Sequence, residues 1–229
     1  MAGGIQHWPK KKVLNKKVLV TAGPTYEAID PVRFIGNHSS GRMGYAIADA
    51  FALAGAEVTL VSGPTSFKPT HPGVNLVNVT SAAEMFDACS RVIGQMDIAI
   101  FAAAVADFTP DEKTETKIKR EKDDLVIRLK PTKDIAGELG KKKKAGQFFV
   151  GFALETDHGI EHAQVKLERK NLDFIVLNSL EDEGAGFGTE TNKVTMIDKS
   201  GGINKFELKH KSEVAKDIVR MTEKLIKDA

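Results

Sequence analysis

The sequence has one cysteine, Cys89, in 229 residues. An intrachain disulfide framework is therefore excluded, and the usage fits a reducing compartment. Cys89 falls in a helix-like stretch and reads as a small core residue rather than a nucleophile. Charge of one sign is also missing: 33 Lys and Arg stand against 31 Asp and Glu, a net +2. That balance gives no polyanion footprint and suggests no nucleic-acid partner. No window approaches the roughly 18 consecutive apolar residues of a membrane span. Residues 1–16 lack the apolar segment of a secretory signal, so a cytoplasmic chain is expected. They are basic and irregular and read as a leader or linker, with Trp8 as a loose anchor. Tyrosine is scarce, too. Only Tyr26 and Tyr45 occur, and position 49 is Asp, so a Tyr-x-x-x-Lys hydride-transfer site is excluded.

What is present is a globular balance, 41% hydrophobic and 28% charged, sufficient for a real core. The organising stretch is Val18 to Ala54. A short apolar strand (Val18 to Thr21) enters a turn at Gly23-Pro24-Thr25. A polar loop follows, ending Asn37-His38-Ser39-Ser40-Gly41-Arg42-Met43-Gly44. A helix then begins, with Met43, Ala46, Ile47, Ala50, Phe51 and Ala54 at helical spacing and Gly55 as its stop. Strand, Gly/Ser loop and helix together make an anion site, because loop N–H groups and the helix start point at the ligand. The loop is neither G-x-x-x-x-G-K-[ST] nor G-x-G-x-x-G. The next strand, Glu57 to Val61, is followed by Ser62 rather than the acid that would hold an NAD ribose.

Further strands are expected over 74–79, 97–104, 125–129, 147–153 and 174–177. Ser81 to Glu84 is a capping box opening a helix to about Gly94, and a second helix covers Ile160 to Lys170. This alternation predicts a doubly wound, mainly parallel α/β sheet. Residues 106–133 break the rhythm and suggest a charged loop with a projecting β-arm. Lys141 to Lys144 reads as a solvated helix end. Lys193 to Asp198 and Ile203 to Leu208 flank Lys199-Ser200-Gly201-Gly202, a hairpin signal, and Ser212 to Lys227 is a closing amphipathic helix. One domain over 17–229, without internal repeats, is expected.

Several residues suit chemistry. Asn37 precedes the Ser-Ser-Gly cradle; its amide can donate and accept, or simply make a turn. Arg33 can pair with a carboxylate or phosphate, or form a surface ion pair. Ala102 to Asp107 lies at the carboxyl end of the central strand, where ligands of open α/β sheets gather. Small side chains there suit either a flat base or tight packing, whereas Asp107 suits water or a ligand. Lys117-Ile118-Lys119-Arg120 is solvated surface or a source of charge for a triphosphate. Lys166 and Lys170 share one helix face and, with Phe152, can frame a nucleotide.

The segments TAGPTYEAIDPVRFIGNHSSGRMG, AAAVADFTP, TKIKR, GFALET and KLERKNLDFIVLN together resemble the phosphopantothenoylcysteine synthetase family, in the family's order. The resemblance implies a Rossmann-like ligase that condenses 4′-phosphopantothenate with L-cysteine. Bacterial members use CTP and Mg²⁺ through an acyl-cytidylate; eukaryotic relatives use ATP. A nucleotide-binding protein without turnover is the alternative from another class. By resemblance, Asn37 processes the acyl-nucleotide and Lys117 supports its formation. Gly23, Thr25, Ser39, Ser40, Gly41 and Gly44 are expected on the nucleotide, with the serines and Gly41 holding its triphosphate. Phe101, Ala102, Ala103, Asp107, Asp134, Ile135, Phe152, Lys166 and Lys170 are expected there too. Arg33, Asn37 and Ala106 are expected on the phosphopantothenate side. The K-x-K-K motif ends here in Arg120, and N-P-D-I reads Thr132-Lys133-Asp134-Ile135. The Mg²⁺ ligands are not indicated. A homodimer is expected, its arm reaching across, as is possible fusion to or association with a phosphopantothenoylcysteine decarboxylase, for which the 16-residue leader leaves no room.

Overall fold

The structure, a computed structural model, describes residues 13–120, 124–155, 158–179 and 188–226. Trp8 and the expected helix end at Lys227 lie outside them. The first strand, β1 (Lys17–Ala22), leads into a short hairpin of β2 (Tyr26–Ala28) and β3 (Phe34–Gly36). Then come α1 (Arg42–Leu53), β4 (Glu57–Ser62), β5 (Val74–Asn78), α2 (Ala82–Val92) and β6 (Ile98–Phe101). A ribbon of β7 (Phe108–Pro110) and β8 (Leu129–Pro131) precedes α3 (Ile135–Gly140), β9 (Phe148–Glu155), α4 (Gly159–Arg169) and β10 (Phe174–Ser179). The chain continues through β11 (Thr191–Asn192), β12 (Val194–Asp198), β13 (Ile203–Lys205), β14 (Lys209–His210) and α5 (Lys211–Leu225).

Six parallel strands lie in the order β5-β4-β1-β6-β9-β10, and β12 and β13 add an antiparallel edge beyond β10. Counted along the chain, the parallel order is 3-2-1-4-5-6, the doubly wound arrangement with its switch point between β1 and β6. Helices cover both faces, which is why the strands read as continuous apolar runs. Val18 and Val20 face α1 and α5, while Leu19 faces the layer of α2, α3 and α4. Cys89 is buried in that second layer, and burial pushes its thiol up to about 12, so it is inert packing. Among the described residues no helix is long and apolar enough to cross a membrane.

Local signals match the elements they predict. Ser81 Oγ accepts from Glu84 N–H at 3.2 Å, and the Glu84 carboxylate accepts from Thr80 N–H at 2.7 Å. Gly55, at φ +95°, ends the turn after α1. The turn at 199–202 joins the β12–β13 hairpin as expected.

Three expectations change. The central strand leaves the sheet after Phe101; Ala104 returns only as a single bridge to Pro24. Residues 125–128 are irregular, and the arm's strand begins at Leu129. Val126 is 88% exposed, so its alternating segment has no surface on which to bury a face. Lys143 is not solvated: its ammonium lies 2.6 Å from Asp173, which also accepts from Phe149 N–H, pinning the starts of β9 and β10.

Helix α1 crosses β1 so closely that a Cβ on Gly44 would meet the Ala22 Cβ at 2.5 Å. Gly44→Ala gains roughly 1 kcal/mol of helix propensity. Overpacking of about 1–3 kcal/mol opposes it. The expected result is a lower urea midpoint with an unchanged slope; a raised midpoint would contradict this packing.

Candidate active site

At the carboxyl ends of β1, β6 and β9 the backbone opens into two adjoining cavities. The larger, about 460 Å³, is lined by Asn37, Phe101, Asp107, Asp134, Ile135, Lys166 and Lys170 among others. The smaller, about 140 Å³, lies against Ser39, Ser40, Gly41, Gly44, Ala102, Asn178, Asn192 and Lys211. Ala103, Ala104, Phe152 and Leu154 line both, forming a common wall. Most of the nucleotide residues expected from sequence are thus brought together, but divided between two lobes.

Backbone turns set this geometry. Gly23 has φ +75° and Gly41 φ +80°, left-handed values that favour glycine. A Cβ on Gly63 would sit 1.7 Å from the Pro24 carbonyl oxygen. Thr25 is fully buried and accepts from Ala106 N–H at 2.9 Å, while Ala106 is itself buried. Gly23, Thr25 and Ala106 therefore line neither cavity; they support the strand tip from beneath. Asn37 donates from Nδ2 to the carbonyls of Ala104, at 3.0 Å, and Val105, at 3.2 Å, tying the Ser-Gly loop to that tip. Its Oδ1 makes no hydrogen bond among the described residues. Thr132 joins the same scaffold: its hydroxyl donates to Ala106 O at 2.6 Å and its N–H to Asp107 O at 2.9 Å.

The larger lobe holds its cations on carboxylates. Lys170 lies 2.8 Å from Asp134, and Lys166 pairs with Glu155. Asp134 also caps α3 by accepting from Gly137 N–H at 3.1 Å. Burial alone would raise the Asp134 pKa. The hydrogen bonds from Lys170 and Gly137 and the charges of Lys170 and Arg169 outweigh it and hold the carboxyl below its usual range. Lys133 lies over the Phe86 ring at 4.4 Å.

The smaller lobe has two cations that the sequence reading missed. Lys211, 4% exposed, donates to Thr189 O at 2.8 Å, and burial followed by the charge of Arg42 lowers its pKa. Arg42 pairs with Glu190 at 3.0 Å, stacks on Phe67, and has a buried Nε without a hydrogen bond. Together with the start of α1, where the Gly41 and Arg42 N–H groups turn to the Ser39 and Ser40 hydroxyls at 3.2 and 3.5 Å, these cations favour a polyanion. Arg42 could have been found, since it abuts the Ser-Ser-Gly segment. Lys211 lies far along the chain at the start of α5, and no local pattern marks it.

Two expected residues stand apart. Lys117 is exposed and lines neither cavity of its own chain. Arg33 engages Asp30 through Nε at 3.0 Å and Nη2 at 2.5 Å, also outside both cavities.

A 3-2-1-4-5-6 sheet with a cationic, two-lobed cleft at its switch point defines a Rossmann-like protein built for an anionic ligand. The family model described as DNA/pantothenate metabolism flavoprotein C-terminal domain matches residues 13–225, and the chain belongs to that family. The Bacillus subtilis (strain 168) coenzyme A biosynthesis bifunctional protein CoaBC is 46% identical over 90% of this chain and 50% of its own length. A relative from an unknown prokaryotic organism, named as a cysteine/cysteine sulfinic acid decarboxylase, is 59% identical over 94% of this chain and 62% of its own length. The chain thus spans about half to three-fifths of the curated relatives it matches. A crystal structure of the C-terminal domain of a CoaBC protein covers 95% of this chain and 99% of that one, at 41% identity and a TM-score of 0.81. Family and fold both agree with the phosphopantothenoylcysteine synthetase resemblance.

The Asp134 ion pair has a pH signature. A carboxyl with a depressed folded-state pKa stabilises the fold above its unfolded value near 4, and that contribution is lost as pH falls through the folded value. The carboxyl is nearly half exposed, so solvent screening limits the contribution to about 1 kcal/mol or less. Asp134→Asn should lower the urea midpoint at pH 7 and close the gap to the parent below pH 4. A gap that persists unchanged at acid pH would remove the ion pair as its cause.

Proposed function

We propose that the chain is the ligase domain that joins 4′-phosphopantothenate to L-cysteine, using CTP and passing through an acyl-cytidylate. The observation that carries this reading is the two-lobed cleft. One lobe suits a base and ribose between Phe152 and the Ala103–Ala104 backbone, near Lys166 and Lys170. The other suits phosphates at the start of α1, near Arg42 and Lys211. A carboxylate is a poor acyl donor until its oxygen becomes a good leaving group. The site must therefore hold a triphosphate and a carboxylate side by side. The pantothenate carboxylate attacks the α-phosphorus and pyrophosphate departs. The cysteine amine then attacks the acyl carbon and CMP departs.

Asn37 lines the larger lobe and is hydrogen-bonded to Ala104 of the wall that the two lobes share. Its Nδ2 is occupied by Ala104 and Val105, so Oδ1 is the atom available to accept from the attacking amine. Lys117 is assigned to stabilise charge on the phosphates during the first step. Because it lines neither cavity of its own chain, a second copy would supply it. Exposed Phe34, Phe108, Leu125, Val126 and Leu129, on the hairpin and arm, favour such a homodimer. Among the described residues no group of three or more His, Cys, Asp or Glu could hold a metal ion. Asp107 is a carboxylate lining the cleft. These residues fit a Mg²⁺ carried mainly on nucleotide phosphate oxygens, where it would neutralise phosphate charge. Fusion to a decarboxylase half is proposed from the relatives named bifunctional.

Incubation with phosphopantothenate, cysteine and either CTP or ATP tests the reading. Pyrophosphate and CMP should form with CTP, at a rate well above any with ATP. Turnover with ATP alone would overturn the CTP assignment. Carbon dioxide from cysteine with no pyrophosphate would favour the activity for which the 59% identical relative is named.

Two substitutions divide the half-reactions. Asn37→Asp replaces a donor to two carbonyls by a carboxylate, and should let the acyl-cytidylate accumulate with a roughly hundredfold slower second step. Lys117→Gln should slow pyrophosphate release instead. Parent-like turnover in either variant would remove the role given to that residue. In solution the active species should have twice the chain's mass, and full activity from a monomer would refute the shared site.

A further inference from the structure

Asp30 is the most heavily hydrogen-bonded carboxylate among the described residues, and nothing in the proposed reaction uses it. Its side chain is fully buried in the turn between β2 and β3. Oδ1 accepts from the N–H groups of Val32 and Arg33, both at 2.8 Å. These two bonds close the turn locally. Oδ2 is occupied differently. It accepts from Arg33 Nε at 3.0 Å and Nη2 at 2.5 Å, and from the N–H of Ile118 at 3.1 Å. Arg33 Nη2 then donates to the carbonyl of Ile118 at 2.7 Å.

Both backbone groups of Ile118 are thus taken by one ion pair, its carboxylate buried, 85 or more positions earlier in the chain. Thr114 fastens the same segment four residues upstream. Its N–H and hydroxyl both reach the carbonyl of Ile29, at 3.2 and 3.0 Å. Residues 114–118 are therefore strapped across the hairpin turn at both ends. Lys117 is the residue immediately before the Asp30 clamp. The rest of the strap is exposed and has no core of its own to fix it.

We propose that Asp30 is a positioning residue: through Arg33 and the two backbone groups of Ile118 it fixes the segment that presents Lys117. Charge is what makes this clamp effective. Burial would raise the Asp30 pKa, but the Arg33 side chain and three backbone N–H groups hold it far below the ordinary carboxylate range, so it stays an anion throughout the working pH range. Hydrogen bonds to an ionised acceptor are roughly twice as strong as neutral ones. They hold an exposed strap in one place where a neutral turn would let it move. Arg33, expected from sequence to face the substrate, spends Nε and Nη2 on the clamp.

The assignment rests on the role proposed above for Lys117, and two readouts keep the two claims apart. The first is amide hydrogen exchange over residues 111–120 in the full chain. Asp30→Asn keeps the shape and removes the charge, so it should speed exchange there by about tenfold or more while leaving β1 and β6 as protected as in the parent. Ile118→Pro leaves the hairpin residues unchanged and removes the N–H that Asp30 accepts, although it also fixes φ at 118 and restricts Lys117 before it; it should release the same segment even if Asp30→Asn folds poorly. The second readout is pyrophosphate release at saturating nucleotide and phosphopantothenate. Asp30→Asn should slow it about tenfold with little change in the nucleotide KM. The double variant Asp30→Asn/Lys117→Gln should be no slower than Lys117→Gln alone, since one effect acts through the other.

Unchanged exchange over 111–120 in both variants overturns the proposal. So does a rate loss in Asp30→Asn that adds in full to that of Lys117→Gln. If Lys117→Gln releases pyrophosphate at the parent rate, the catalytic reading of Lys117 fails, and the exchange readout alone decides whether Asp30 fixes the strap.

Discussion

The site depends on how closely backbone passes backbone at the carboxyl tips of β1 and β4. A Cβ on Gly23 would stand 3.0 Å from the Gly63 carbonyl oxygen, one on Gly63 1.7 Å from that of Pro24, and one on Gly41 3.1 Å from Gly23 Cα. Three chain segments therefore meet with no side chain between them. Their closeness brings the start of α1 down onto the switch point and lets Asn37 reach the carbonyls of Ala104 and Val105. Any side chain there would push the loop outward and separate the two lobes. The cleft is a consequence of where side chains are missing as much as of where charges are present.

Much of this was readable in the chain. Buried parallel strands announce themselves as apolar runs, and the Gly/Ser segment before α1 marks an anion site. The closing hairpin and the capping box at Ser81 were also legible, because each depends on residues a few positions apart. What escaped depends on distant partners. The β2–β3 hairpin has strands of three residues, too short for periodicity to show. The exposed arm segment alternates like a strand but finds nothing to pack on. Lys143 sits in what looks like a solvated charge run until Asp173 is brought beside it by the pairing of β9 with β10. Lys211 reaches the site only because α5 returns beside α1. Asp30, Arg33 and Ile118 are ordinary as isolated letters and become a unit only across the fold.

The cations of the larger lobe are already paired with acids. Lys170 with Asp134 and Lys166 with Glu155 hold their side chains at the cleft wall before any anion arrives. A polar ligand group there would share or replace carboxylate oxygens rather than meet bare charge, so part of the ordering cost is met within the protein. In the smaller lobe Arg42 is likewise paired, with Glu190, while Lys211 is buried and Arg42 is close enough to lower its pKa. Two cations near each other repel, and an anion between them relieves that repulsion. The lobes thus use charge differently, one by exchange of paired partners and one by relief of repulsion.

Helix α5 lies beside α1 on one face of the sheet, burying Val214, Ala215, Ile218 and Val219. Ile98, Ile100, Phe148, Val150, Phe174 and Val176 belong to the same apolar layer. During synthesis these six side chains leave the ribosome well before residues 211–225 can cover them. The nascent chain therefore carries an open greasy face until α5 emerges to seal it.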